Sequence, residues 1–290
     1  MRNRQATVSQ FPDVIQKALK SVHISWLPVL IDGLNAMYAA DPTYLDSLID
    51  GHFLPENGQM FAAFSIPINQ VRYVLIGEGP YPRAASATGI SFMDGAVNEL
   101  WSNETHGGLS KKVNRATSLR NFIKMLLVAD GLLDVNNTTN SAMISISSFA
   151  RQTDSGLIKS LTELQSNLTL HGFLLLNATL VYRLEVAPHR DAKAWQPFLQ
   201  VIFSALNDHQ KMIDGKSVIL LLWGKVAELL KQIPAIDYFS SVLAEHPYNL
   251  SFIANKTMQS FFSPLHLMRK QKNVNFCRGV IFACNAHASF

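Results

Sequence analysis

Apolar residues along this chain fall into two kinds of run. Val71-Arg72-Tyr73-Val74-Leu75-Ile76, Phe173-Leu174-Leu175-Leu176 and Val218-Ile219-Leu220-Leu221-Leu222-Trp223 are almost continuous, the pattern of strands buried on both faces. Tyr238 to Ala244 adds a last strand. Elsewhere the apolar positions recur at the helical period: Val14, Ile15, Ala18 and Leu19 near the start, then Thr117 to Leu127, Trp195 to Leu206, and Val226 to Ile233. Thr117 or Ser118 is the expected N-cap of the second of these helices. Strands alternating with helices predict the α/β class: a three-layer α/β/α arrangement around a central four-stranded, mostly parallel twisted sheet.

Residues 1–70 read as a helical lead-in, broken by a turn at Phe53-Leu54-Pro55-Glu56-Asn57-Gly58. Asp94 to Arg115 is polar and glycine-containing, hence a loop. Residues 134–168, rich in Asn, Ser and Thr, read as an insertion with some structure of its own, and 273–290 as a tail. The whole, 1–290, is expected to form a single domain.

The run from Val71 stops at Gly77-Glu78-Gly79-Pro80-Tyr81-Pro82. Two glycines and two prolines in six residues prevent strand or helix from continuing and leave an irregular loop at the strand's carboxyl end. Open α/β sheets place their ligands there. The loop offers a carboxylate, Glu78, and an aromatic ring, Tyr81. By the same logic the later strands deliver Asn177 and His246 to the same edge of the sheet.

Composition narrows the class. A hydrophobic content of 48% against 16% charged residues describes a well-cored globular chain. No run has the length and apolarity of a membrane helix, and the start lacks the apolar region of a secretory signal, so a cytoplasmic protein without a membrane partner is expected. The two cysteines, Cys277 and Cys284, are too few for a structural zinc site or an iron–sulfur cluster and suit a reducing compartment. No cofactor or metal and a monomeric state are expected. The formal net charge of +4 permits binding to nucleic acid.

The polar residues at the strand ends, with the motifs around them, resemble the uracil-DNA glycosylase superfamily, above all its uracil-specific branch. That branch opens with Gly-Gln-Asp-Pro-Tyr-His and a later Phe; here Gly77-Glu78-Gly79-Pro80-Tyr81-Pro82 leads without a gap to Phe92. Its Ser-Leu-Arg-Asn helix start is matched by Ser118-Leu119-Arg120-Asn121. Its Leu-Leu-Leu-Asn and Leu-Leu-Trp-Gly strands are matched by Leu174-Leu175-Leu176-Asn177 and Leu221-Leu222-Trp223-Gly224. Its His-Pro-Ser-Pro-Leu-Ser loop appears as His246-Pro247-Tyr248-Asn249-Leu250-Ser251.

The resemblance implies a uracil-DNA glycosylase-like fold and an enzyme acting on DNA: a monofunctional glycosylase that flips a nucleotide out of the stack and hydrolyses its N-glycosidic bond. Phe92 would stack on the base, Tyr81 would wall off the pyrimidine 5-position, and Asn177 would bond the Watson–Crick edge. His246 would donate a hydrogen bond to the O2 of the leaving base. Leu250 would enter the vacated stack from the minor groove, and Ser118 and Ser251 would hold backbone phosphates.

The sequence also departs from the family. Gly79 stands where the water-positioning Asp belongs, so Glu78 is the expected replacement for that carboxylate. Glu78 also matches a Gly-Glu-Ala-Pro version of the motif in other branches of the superfamily. Pro82 replaces the motif's last His, Tyr248-Asn249 replaces Ser-Pro, and the segment between Ser118 and Asn177 is longer than usual. That insertion is expected over the pocket mouth, where it would change which base is admitted. These changes favour a modified pyrimidine as substrate, for example a hydroxymethylated or glucosylated cytosine of phage DNA in antiviral defence. Plain uracil excision in base-excision repair is the alternative. The lost Asp also leaves open a catalytically inactive module that binds DNA or a protein.

Overall fold

The computed structural model describes residues 8–49, 52–212 and 217–271. Cys277, Cys284 and the expected tail lie outside them. Strands β1 (Tyr73–Gly77), β2 (Phe173–Asn177), β3 (Ile219–Trp223) and β4 (Ser240–Ala244) pair in the order β2-β1-β3-β4, every pair parallel. Helices α1 (Asp13–Leu19) and α2 (Leu27–Ala40) precede the sheet. The crossover from β1 to β2 carries α3 (Lys111–Arg115), α4 (Thr117–Ala129), α5 (Asn140–Arg151) and α6 (Leu161–Leu170). Helix α7 (Pro188–Met212) joins β2 to β3, α8 (Val226–Leu230) joins β3 to β4, and α9 (Lys256–Phe262) follows β4.

The continuous apolar runs become strands because both faces of the sheet are covered. Side chains alternate along a strand, and the alternation divides the core. Val74, Ile76, Leu174, Leu176, Leu220 and Leu222 pack with Leu30 and Leu34 of α2 and Phe198 and Ile202 of α7. Leu75, Phe173, Leu175, Leu221 and Trp223 pack on the other side with Phe122 of α4, Leu164 of α6 and Phe262 of α9. Strand β4 is the exception, an edge with Ser240, Ser241 and Leu243 exposed.

Several local expectations are corrected. Helix α4 already begins at Thr117, and its cap position is Ala116, which offers no side-chain bond. The cause is α3, which ends one residue earlier and turns straight into α4, with Ala116 N–H donating to Lys112 O and Val113 O. Asp94 to Arg115 is therefore not all loop; Ser110 Oγ caps α3 by accepting from Val113 N–H. The last strand starts at Ser240 because Pro234–Tyr238 forms a 3-10 turn.

Candidate active site

The chain leaves β1 for β2 on one side and later returns to β3 on the other, which makes the carboxyl end of β1 a topological switch point. A cavity of about 340 Å³ lies there. Its lining draws together Glu78, Tyr81, Phe92, Ser118, Asn177 and His246, from loops and strand ends far apart in sequence. Leu250 and Ser251 are not in the lining; they lie exposed on the loop beyond His246.

Asn177 is the last residue of β2 and pairs with Gly77. The ladder runs one step further, with Ala178 N–H donating to Gly77 O at 2.8 Å and Thr179 N–H to Glu78 O at 3.1 Å, so the first residues of the loop are held as firmly as strand. Asn177 is only 4% exposed, yet among the described residues its amide has no hydrogen-bond partner in the protein. An amide that faces the cavity and meets no protein partner is free to bond a polar ligand there.

Phe92 is buried and carries a positive φ of 61°, a conformation an aromatic residue rarely adopts. Ser91 imposes it: its N–H donates to Leu175 O and its Oγ to Leu75 O, both at 3.1 Å, tying the loop back onto β1 and β2. The Phe92 ring meets Trp223 edge-on at 4.9 Å and lies 6.1 Å from the His246 ring.

The His246 ring is oriented by its own loop. Tyr248 N–H donates to Nδ1 at 3.1 Å, so a neutral ring carries its proton on Nε2. Burial lowers the His246 pKa, and the nearby Glu78 charge offsets this in part. The ring is thus a neutral donor. Gly224, at φ +66°, permits its approach, since a Cβ there would stand 2.7 Å from His246 Cβ.

The carboxylates of the lining differ. Asp191 is 2% exposed and fully engaged: Oδ1 accepts from Tyr44 Oη at 2.8 Å and from Arg183, and Oδ2 accepts from Arg183 Nε at 3.3 Å. Glu78 is exposed at the mouth and among the described residues has no ion-pair or hydrogen-bond partner for its side chain. Tyr81 is largely buried, and desolvation, then the Asp94 charge, pushes its hydroxyl pKa up to about 12.

Two features escape a sequence reading. Asn121, fully buried, donates through Nδ2 to the carbonyls of Pro247, Tyr248 and Asn249 at 2.7, 3.3 and 3.4 Å, clamping the loop that holds His246. The sequence marks Asn121 only as part of the Ser118-Leu119-Arg120-Asn121 match and says nothing of this clamp. The Arg183–Asp191–Tyr44 cluster has no local signal at all. The insertion, in turn, is not where it was expected: no residue of 134–168 lines the cavity. Met143, Ile146, Leu164 and Leu168 instead bury themselves in the core under the sheet, because their helical spacing gives α5 and α6 an apolar face.

Among the described residues no group of His, Cys, Asp and Glu is arranged to hold a metal ion, and no helix is long and apolar enough to cross a membrane. Fold and cavity together define an α/β protein with a ligand-sized cavity at the carboxyl edge of a parallel sheet. No family model matches the sequence. Relatives do: wild-type UNG from Nitratifractor salsuginis superposes with a TM-score of 0.78 at 33% identity, over 93% of this chain and 100% of that one. The uracil-DNA glycosylase of Campylobacter fetus is 23% identical over 82% of this chain and 84% of its own. That of Leuconostoc mesenteroides is 25% identical over 79% and 84%. The chain belongs to the uracil-DNA glycosylase superfamily.

Proposed function

We propose that the chain hydrolyses the N-glycosidic bond of a uracil nucleotide flipped out of DNA and leaves an abasic site. The observation that carries this reading is the buried Asn177 amide, unpartnered and facing a cavity also lined by Phe92 and His246. The names of the relatives favour uracil. Phe92 stacks on the extruded base, and the Asn177 amide bonds its Watson–Crick edge, where a buried polar site discriminates strongly. Tyr81, neutral up to high pH, closes the 5-position.

Bond cleavage develops positive charge on the sugar and negative charge on the departing base. His246 Nε2–H stabilises the base oxygen, a task on the order of 3 kcal/mol for one well-placed donor. Glu78, whose carboxylate is unpaired, positions the attacking water or faces the sugar cation in place of the Asp that Gly79 lacks. Ser118 and Ser251 hold phosphates, and Leu250 enters the vacated stack.

One observation favours a second reading, a pyrimidine with a bulky substituent. A further cavity of about 400 Å³ is lined by Pro82 and Tyr182, which also line the base cavity, and Pro82 stands where the family has His. Incubation with uracil-containing duplexes and with phage DNA carrying modified cytosine, followed by detection of alkali-labile abasic sites, separates the two. Cleavage of uracil DNA alone supports the first reading and cleavage of modified DNA alone the second. Binding without abasic sites would leave an inactive module.

A further inference from the structure

The loop after His246 presents two apolar side chains to solvent, Tyr248 at 67% and Leu250 at 69% of full exposure. The backbone beneath them is fixed. Tyr248 N–H donates to His246 Nδ1 at 3.1 Å and Asn249 N–H to His246 O at 2.9 Å. The carbonyls of Pro247, Tyr248 and Asn249 converge on Nδ2 of Asn121. An aromatic ring projected on a rigid backbone has little freedom left to lose on stacking, and every nucleobase offers a π-face to it.

The two side chains differ in position. Tyr248 is bonded directly to the ring of His246, beside the departing base, while Leu250 lies two residues further along the loop. A side chain that fills a gap between base pairs acts only in a duplex, whereas stacking on a base of the same strand needs no complement. Resting on the glycosylase reading above, we infer that Tyr248 stacks on a base adjacent to the extruded nucleotide in the same strand. It thereby gives the protein a grip on single-stranded DNA that the leucine does not supply.

The test uses the full chain and oligonucleotides carrying uncleavable 2′-fluoro-2′-deoxyuridine next to fluorescent 2-aminopurine, as single strands and as duplexes. Wild-type protein should bind both forms and quench the neighbouring 2-aminopurine. Tyr248→Ala should weaken single-strand binding about 10- to 100-fold and abolish the quenching, with Tyr248→Phe restoring both. Leu250→Ala should weaken duplex binding more than single-strand binding. Single-strand affinity unchanged in Tyr248→Ala, or lost equally in Tyr248→Phe, overturns the inference while wild-type cleavage of uracil DNA leaves the glycosylase reading standing. Wild-type protein that neither binds nor cuts such DNA overturns both.

Discussion

Gly77 and Asn177 form the last paired rung of β1 and β2, and a Cβ on residue 77 would stand 2.7 Å from Asn177 Oδ1 and 3.0 Å from Ser91 Cβ. The Asn177 amide occupies space that only glycine leaves open. Gly77→Ala is expected to displace the amide and lower kcat/KM on uracil DNA about 100-fold or more, the scale of losing one positioned donor. The melting temperature should move by only a few degrees. Steady-state kinetics beside a thermal melt decide it; normal kinetics in a folded Gly77→Ala protein would refute the role given to Asn177.

Glu78→Gln keeps the shape of the side chain and removes its charge. It is expected to lower kcat about 10²- to 10³-fold. Gly79 supplies the countertest, because a Cβ there meets only Thr179, at 3.6 Å, an ordinary contact, and its φ is not left-handed. Gly79→Asp placed on Glu78→Gln should recover at least about tenfold of the lost single-turnover rate. Full base release by Glu78→Gln alone would clear Glu78 of any chemical part.

The His246 pKa lies below the ordinary histidine value because burial disfavours the charged ring, with Glu78 pulling the other way. The neutral ring is therefore favoured, and activity should fall only below the ordinary histidine range, as the ring protonates. Removing the charge in Glu78→Gln should move the ring's titration, followed by NMR, to still lower pH. For stability the sign is fixed. The unfolded chain takes up the proton first as pH falls, so the ring's contribution is full above the unfolded value and is lost down through the folded one. An upward movement of the ring titration in Glu78→Gln would contradict the arrangement.

Asn121→Ala strips the donor from the loop carbonyls and leaves the buried Pro247 oxygen, bonded at 2.7 Å, without its partner. The expected cost is about 1–3 kcal/mol in denaturant unfolding. Base release should fall further than that loss explains, because His246 rides on the same loop. A variant with the stability loss but normal kcat would show that the clamp is purely structural.

Much of this was legible in the chain itself. Tyr73–Ile76, Phe173–Leu176 and Ile219–Trp223 stand out because both faces are buried, and Glu78, Asn177 and His246 follow because parallel strands all end at one edge. The start of β4 was not legible, since Tyr238 and Phe239 look like strand residues until Pro234 is seen to open a 3-10 turn. Tyr44 and Asp191 bond across 147 positions, and the Asn121 carbonyl contacts span more than 120; no local period records such pairs. Residues 134–168 mislead by polar composition, while the spacing of Met143, Ile146 and Ala150 already spelled a buried helix.

The room around Gly79 has an evolutionary consequence. A Cβ at 79 makes only ordinary contact with Thr179, so the loop that carries Glu78 also has room for the start of a side chain at 79. Glycine and aspartate codons differ by a single base. An intermediate carrying carboxylates at both 78 and 79 would therefore lie one substitution from this sequence.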